Sequence, residues 1–280
     1  MLNKRRTTIY HARISLIKTI MDYGEKSADK LTELFSKLIK EDNVSEAIIS
    51  DYEWHFGDIK EDNEIIFCKL GKIRKIRQKT KFDNKKKTFL EIKSDDEDVF
   101  ISHLLFDKKN HFFLFEERPE VGYKELTHIL TESFKKLNNR EIAIAILPNK
   151  LEVNKILTGK FTVTKARFLL RPSNPDNSED LKKMDNLIRD VHAKRATMDF
   201  VNDDGLDKES STFNSALSLS NRGFGSFHLN YTSPDGKKRH FYSKQKQLKD
   251  TISKPNSETE WKSKLLDLLS KTIDLLNKNE

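Results

Sequence analysis

The sequence predicts a mixed α/β (α+β) fold in which largely antiparallel sheets are packed by helices. Apolar and polar residues alternate in several short segments, as in half-buried strands, whereas other segments repeat apolar residues every three or four positions, as in amphipathic helices. Turn-forming residues join neighbouring strand segments at short range, which favours antiparallel hairpins. We expect two domains, residues 1–160 and residues 161–280, although no sharp change in composition marks the boundary.

The first half of the chain predicts a strand-rich unit with two main helices. A strand at 9–17 comes first, followed by a helix that Ser27 caps and whose apolar residues share one face. Strands follow at 50–59, 64–76 and 87–93, and a hairpin turned by "DKKN" follows at 98–117. The rest of this half predicts an amphipathic helix at 123–137, a nearly all-apolar strand typical of a sheet centre at 141–147 and a short helix at 151–157.

The second half begins with a strand at 161–172 and continues as a helix that Ser178 is expected to cap. A strand at 196–201 precedes a segment, 202–215, whose polar composition predicts a loop. The glycines of "NRGFGSF" predict a bend into a hairpin at 225–243, with "SPDG" at its turn. Ser257 and Glu260 predict the start of a closing helix, whose broad apolar stripe favours either self-association or packing on its own domain.

Composition excludes several classes of function. With 36% hydrophobic and 34% charged residues, the chain can bury a core, and its apolar runs are too short for a bilayer helix, so we expect a cytoplasmic protein without membrane insertion. The single cysteine, Cys68, lies in an apolar run and reads as a buried strand residue, with a catalytic thiol as the alternative. The eight histidines lack metal-binding spacing, and no glycine loop has a phosphate-binding pattern, so we expect neither metal nor cofactor.

One stretch concentrates the positive charge of the chain. Residues 69–87 contain ten Lys or Arg and one acid, Asp83, a net charge of +9 against +8 for the whole protein. Lysines at a sheet edge also prevent aggregation, but such a local excess favours contact with a polyanion. We predict a projecting basic β-ribbon that contacts nucleic-acid phosphates through Lys72, Arg74, Lys75, Arg77, Lys79, Lys81, Lys85, Lys86 and Lys87.

A second basic segment lies in the later hairpin. Residues 237–249 carry six Lys or Arg and no acid. Phe241 and Tyr242 lie between these cations and either stack on bases or pack in the core. The predicted phosphate contacts of this segment are Lys237, Lys238, Arg239, Lys244 and Lys246.

An enzymatic alternative rests on the segment "FLEIKSDD". Glu91 and Lys93 reproduce the E-x-K element of restriction-type nucleases, in which alternating strand residues hold a metal and a water, and Asp83 would be the upstream acid. Acids and lysines are so common in this chain that the pattern is expected several times by chance. We therefore predict a protein without catalytic activity and keep the metal-dependent nuclease as the alternative.

The order of elements around "ARFLLRPSNPDNSEDL" and "YTSPDGKKRHFYS" resembles a bacterial family with an R-P-N-P-D-type segment. Here the segment is Arg171, Pro172, Asn174, Pro175 and Asp176, with Ser173 inserted. More distantly the layout is similar to that of RexA-type phage-exclusion proteins. This resemblance implies a two-domain α/β protein that dimerises, binds DNA without strong sequence preference and acts in defence against phage, and it carries over no catalytic residue.

Together these observations lead to one hypothesis and two alternatives. We expect a homodimeric protein of an anti-phage system that holds duplex DNA through its backbone, with Arg171 as a further phosphate contact or as a structural partner of Asp176. A second defence-system protein is a further expected partner. The alternatives are the E-x-K nuclease and a sensor that binds an acidic phage protein.

Overall fold

The structure, a computed structural model, describes residues 5–17, 27–40, 52–75, 78–83, 88–93, 97–173 and 179–277. These residues form six α-helices and thirteen strands, and each strand pairing within them is antiparallel. The predicted α+β class is confirmed. Within these described ranges, no helix combines the length and apolar composition that a bilayer span requires.

The elements have the following bounds in chain order: β1 (Arg6–Ile17), α1 (Ser27–Ile39), β2 (Tyr52–Glu61), β3 (Ile65–Lys75), β4 (Gln78–Asp83), β5 (Thr88–Lys93), β6 (Glu97–Asp107), β7 (Phe112–Glu117), α2 (Tyr123–Asn138), β8 (Glu141–Ile146), α3 (Lys150–Thr158), β9 (Thr162–Leu170), α4 (Glu179–Asp190), β10 (Ala196–Val201), α5 (Ser211–Leu219), β11 (Gly225–Thr232), β12 (Lys238–Tyr242), β13 (Lys249–Ser253) and α6 (Glu258–Asn277).

The first sheet is covered on both faces. Over the described residues its strand order is β13-β1-β7-β6-β3-β2, with β8 also paired to β1. Alternate residues of β1 enter different cores: Tyr10 joins the cluster under α1 and α2, whereas Ile9 joins the cluster under α6. Burial of both sets explains why almost the whole of β1 is inaccessible to water.

The second sheet is covered on one face. Its strands follow the order β10-β9-β11-β12. Phe168, Phe213 and Phe227 pack together between the sheet and the helices, with Phe168 and Phe213 in edge-to-face geometry at 5.6 Å. The opposite face carries the outward residues of the same alternating pattern, which are partly or fully exposed.

Helix α5 lies partly in the segment that we predicted as a polar loop. The hydroxyl of Ser210 accepts a hydrogen bond from the backbone N–H of Phe213 at 3.2 Å and caps the helix. Phe213, Ala216 and Leu217 are buried, so tertiary packing stabilises a helix whose sequence looks polar. The predicted bend after this helix is present, because Gly223 adopts a left-handed φ of 88° just before β11 begins.

The closing helix packs against the first sheet, although we had assigned it to the C-terminal domain. Trp261 stacks on His103 of β6 at 4.0 Å, and Leu265 and Leu268 are buried in the same cluster. The predicted cap is confirmed, since the backbone N–H of Glu260 donates to the hydroxyl of Ser257 at 3.2 Å. The apolar stripe of α6 is therefore covered by its own chain, and the division at residue 160 and the homodimer stay predictions.

Candidate nucleic-acid interface

The first cations of the basic stretch are neutralised within the fold. Lys69 lies 2.5 Å from Asp58 and 3.1 Å from Glu258, and the hydrogen bond to Asp58 raises the pKa of Lys69 above its ordinary value. Lys72 is buried, and its ammonium contacts both carboxylate oxygens of Glu125 at 2.7 and 2.9 Å. The fold turns Lys72 inward as a partner of Glu125, which disfavours its predicted contact with nucleic acid.

The remainder of the basic stretch is only partly described. Arg74 is exposed, with its guanidinium 6.0 Å from the ring of Tyr52. The backbones of Lys75, Lys79 and Lys81 lie in β3 and β4. The side chains of those three residues, together with all of Arg77, Lys85, Lys86 and Lys87, lie outside the described part of the structure. Their role as phosphate contacts stays a prediction.

The second basic segment has acidic partners that its own sequence lacks. Asp235, in the turn just before it, lies 3.3 Å from the ammonium of Lys237 and 3.8 Å from the guanidinium of Arg239. Lys246 lies 3.3 Å from Glu152, which α3 supplies. Most of these pairs are solvent-exposed and weak, so they reduce the positive field of the hairpin without abolishing it.

The two aromatic residues that we considered for base stacking lie on opposite faces of strand β12. Phe241 is buried and stacks on Phe227 at 5.5 Å, so it belongs to the core. Tyr242 points to the other face and is 41% exposed. Tyr242 is therefore the ring of this pair that can meet a ligand.

Tyr242 belongs to a row of side chains that crosses three strands. Arg167 pairs in register with His228, and His228 pairs with Tyr242. The rings of His228 and Tyr242 stack at 4.0 Å with an interplanar angle of 11°. Partial burial and the nearby charge of His240 lower the pKa of His228, which favours a neutral ring. The row presents a flat aromatic surface beside a guanidinium.

A second row extends this surface. Lys165 pairs in register with Asn230, and Asn230 pairs with His240, whose ring nitrogen Nδ1 lies 2.9 Å from the amide oxygen of Asn230. Lys165 and Arg167 share one carboxylate, that of Asp199, at 3.6 and 2.5 Å. We define the basic-aromatic face as the outward-facing set Lys165, Arg167, His228, Lys238, His240 and Tyr242.

The sequence analysis missed most of this face. Only Lys238 and Tyr242 were singled out, although in "VTKARFLLR" the cations Lys165 and Arg167 alternate with the apolar residues Ala166 and Phe168. That alternation is the signal for a strand with one buried and one cationic face. It does not stand out in a charge count, because Ala166 separates Lys165 from Arg167 and three apolar residues separate Arg167 from Arg171.

A cationic cleft adjoins one end of the basic-aromatic face. Lys124, Arg171 and Lys244 line a cavity of about 300 Å³, and its lining, as far as the structure describes it, contains no carboxylate. Leu169 and Ser226, which are paired neighbours on the outer side of β9 and β11, also line it and connect it to the sheet. Burial and the charge of Arg195 lower the pKa of Arg171. The predicted alternative partner of Arg171, Asp176, lies outside the described residues.

The residues of the nuclease alternative are described only as backbone. In the two-stranded ladder Asp83 pairs with Thr88, whereas Glu91 pairs with Thr80 and Lys93 with Gln78. Asp83 therefore occupies a position on the opposite face of the ladder from Glu91 and Lys93, so this register does not bring the three residues together. Within the described residues, no group of three His, Cys, Asp or Glu side chains is placed to hold a metal ion.

Cys68 is buried in β3, in agreement with its interpretation as a strand residue. Burial raises the pKa of its thiol far above the ordinary value. A thiol in this environment is a poor nucleophile, because the thiolate is the reactive form.

The fold and these surfaces define an α+β protein with a cationic and aromatic surface on the free face of an antiparallel sheet. The model of the family described as "Domain of unknown function (DUF4747)" matches residues 17–270. Because this match covers most of the 280 residues, the chain belongs to that family. A search of the curated proteins found no match.

Proposed function

We propose that this protein binds DNA without sequence preference through the basic-aromatic face and the adjoining cationic cleft. The observation that carries the proposal is the row formed by Arg167, His228 and Tyr242, in which the exposed ring of Tyr242 stacks on His228 and His228 pairs in register with Arg167. Stacking on aromatic rings and ion pairing with phosphates are the two interactions that bind single strands independently of sequence.

The two components of the face have different roles in this proposal. Tyr242 offers a π surface to an unpaired base, and each well-stacked base contributes about 1–3 kcal/mol. Lys165, Arg167 and Lys238 neutralise phosphates and release counterions. Because stacking needs bases that have left the duplex, we expect single strands to bind more tightly than the duplex that the sequence suggested.

The cationic cleft extends the path of the strand. Lys124, Arg171 and Lys244 come from three separate parts of the chain and converge without a described carboxylate in the lining. Like charges gathered in this way repel one another, and a bound phosphate relieves that repulsion. The cleft therefore suits the backbone of a strand whose bases lie on the sheet.

The biological setting of the proposal rests on the resemblance to RexA-type proteins. That resemblance supports a cytoplasmic protein that acts in phage exclusion, as a homodimer and together with a further defence-system or phage protein. The exposed cations of the basic-aromatic face support DNA binding, but they are not evidence for phage exclusion or for a homodimer.

A salt-titrated binding assay tests the proposal. Fluorescence anisotropy would measure the affinity for labelled single-stranded DNA, duplex DNA and RNA of about 20 nucleotides, each in two unrelated sequences. We expect log Kd to rise linearly with log salt with a slope of about 2–4 for single strands, similar values for both sequences, and no cleavage when Mg²⁺ is added. Absence of binding at about 50 mM salt, or a slope near zero, would contradict the proposal.

A further inference from the structure

The outward side of the second sheet leads into the cationic cleft. Along β9, Lys165, Arg167 and Leu169 are alternate residues on that side, so successive positions lie about 7 Å apart. Leu169 lines the cleft, and so does Arg171, the next alternate residue after the end of β9. A DNA strand laid along β9 over the basic-aromatic face therefore reaches the cleft directly after its contact with Arg167.

Elements of the first sheet and its helices complete the lining of the cleft. Thr127 of α2 and Ile144 and Ile146 of β8 line it together with Leu169, near the end of β9, and Ser226, near the start of β11. The path along the second sheet thus ends in a cavity of about 300 Å³ between two parts of the fold. A cavity at the end of a path accommodates the end of a strand better than its middle.

The charge of the cleft matches a terminal phosphate better than an internal one. Three cations, Lys124, Arg171 and Lys244, line it, and the described part of the lining contains no carboxylate. Lys124 and Lys244 form no ion pair with any other described residue, whereas Lys165 and Arg167 on the face share one carboxylate. An internal phosphodiester carries one negative charge, but a terminal phosphate monoester carries about 1.5–2 at neutral pH.

Hydroxyl groups of the cleft supply further donors. Ser226 and Ser243 both belong to the lining. The hydroxyl oxygen of Ser243 accepts a hydrogen bond from the backbone N–H of Phe227 at 2.9 Å, which leaves its hydroxyl hydrogen able to donate. A terminal phosphate presents three acceptor oxygens, so it uses more of these donors than a phosphodiester does.

We propose that the cationic cleft binds the terminal phosphate of a DNA single strand whose adjoining bases lie on the basic-aromatic face. The inference rests on the proposed DNA-binding function and adds a preference for phosphorylated strand ends. Lys124, Arg171 and Lys244 would neutralise the phosphate, and Ser226 and Ser243 would donate hydrogen bonds to it. The direction in which the strand crosses the face decides whether the 5′ or the 3′ end is bound.

Three forms of one oligonucleotide test this proposal. Single strands of about 12 nucleotides, labelled on an internal base, would carry a 5′-phosphate, a 3′-phosphate or hydroxyl groups at both ends. We expect one of the two phosphorylated strands to bind about 10-fold or more tightly than the hydroxyl-ended strand in anisotropy titrations. Affinities of all three strands within about twofold would overturn the proposal. Equal gains from both phosphates would also overturn it, because added charge alone would then explain them.

The same titrations separate this proposal from the one on which it rests. If the hydroxyl-ended strand binds with the expected salt dependence and phosphorylation adds nothing, the DNA-binding function stands and the end site is refuted. If none of the three strands binds at about 50 mM salt, both proposals are refuted.

A cleft variant and a matched control locate the preference. Lys124→Met combined with Lys244→Met removes two of the three cations, and we expect the gain from the terminal phosphate to fall from about 10-fold to about twofold or less. Lys264→Met combined with Lys271→Met, at exposed positions of α6, makes the same change in net charge and should keep the gain. Circular dichroism would verify folding. A full gain in the folded cleft variant would refute the site.

Discussion

The densest positive charge in the sequence lies in a different region from the cationic and aromatic face that the described side chains form. In the first sheet, Lys69 and Lys72 stand in a stretch of net charge +9, yet Asp58, Glu125 and Glu258 neutralise them. On the second sheet, Lys165 and Arg167 share one carboxylate, and the exposed ring of Tyr242 lies on the same face. Availability of a cation to a ligand therefore depends on its partners in the fold.

The partners that decide the difference are distant in sequence. Glu125 lies 53 residues from Lys72, and no local count of charge includes it. Lys72 is also held above the ring of Tyr52 at 4.2 Å, which binds the cation further into the fold. Substitutions in one region or the other test this difference, and the largest effect is expected on the second sheet.

Charge reversal on the basic-aromatic face should have the largest effect. We expect Lys165→Glu combined with Arg167→Glu to weaken binding of single-stranded DNA by about 100-fold or more and to lower the salt slope by about 1–2, because two phosphate contacts become repulsive. Anisotropy titrations at several salt concentrations measure both quantities.

The matched control places the same change in net charge on the exposed side of α6. Lys264→Glu combined with Lys271→Glu should reduce the affinity by less than about fivefold, through the long-range field alone. If both double variants weaken binding equally, overall charge and not the face determines the affinity.

Removal of the exposed ring should have a smaller and different effect. We expect Tyr242→Ala to weaken single-strand binding by about 10-fold with an unchanged salt slope, because stacking is lost while the phosphate contacts remain. Tyr242→Phe keeps the π surface and should retain most of the affinity. A salt slope that falls with Tyr242→Ala would show that the ring positions a cation and does not stack on a base.

Lys72→Met should affect stability and leave binding intact. Loss of the ion pair leaves Glu125 half-buried without its cation, and we expect the free energy of unfolding in urea to fall by about 1–3 kcal/mol. Arg74→Met, at an exposed position two residues along the same strand, should change it by less than about 0.5 kcal/mol. If a fully stable Lys72→Met variant bound DNA more weakly, Lys72 would be a DNA contact and not a structural partner of Glu125.

The smallest effect concerns Lys150 and pH. Burial lowers its pKa from 10.5 to about 8 in the fold, so the unfolded chain binds more protons between these values and the charged form costs stability below about pH 8. Lys150→Met removes that cost. The free energy of unfolding of the variant minus that of the wild type should therefore fall by about 1–2 kcal/mol from pH 7 to pH 10.5, after allowance for partial solvent screening. A pH-independent difference would contradict the lowered pKa of Lys150.

Periodicity predicted most of the fold, and tertiary contacts explain the rest. Alternation in β1 and the apolar stripe of α2 were sufficient to predict these two elements, although β1 is buried on both faces and its alternation did not predict the burial of its polar residues. Helix α5 was missed because packing stabilises a polar-looking segment, and the apolar strand β8, expected at a sheet centre, pairs in the described residues with β1 alone. Strand β13 depends on pairing with β1, far away in sequence.

The candidate site was less predictable than the fold. Tyr242 and Lys238 were identified from one basic hairpin, but Arg167 and His228 reach them only through the register of β9 and β11. The ion pair of Lys72 was missed for the same reason, since Glu125 meets it through tertiary packing. Sequence patterns indicate which face a residue occupies, whereas the partner on that face is decided by strand order.

Photo-crosslinking tests the central claim most directly. Single-stranded DNA containing 5-iodouracil would be bound to the protein and irradiated, and the attached peptides would be identified by mass spectrometry. The account predicts adducts at Tyr242, His240 or His228, on the outer face of the second sheet. Adducts confined to residues 69–93, with none on that face, would contradict it and return the interface to the basic stretch.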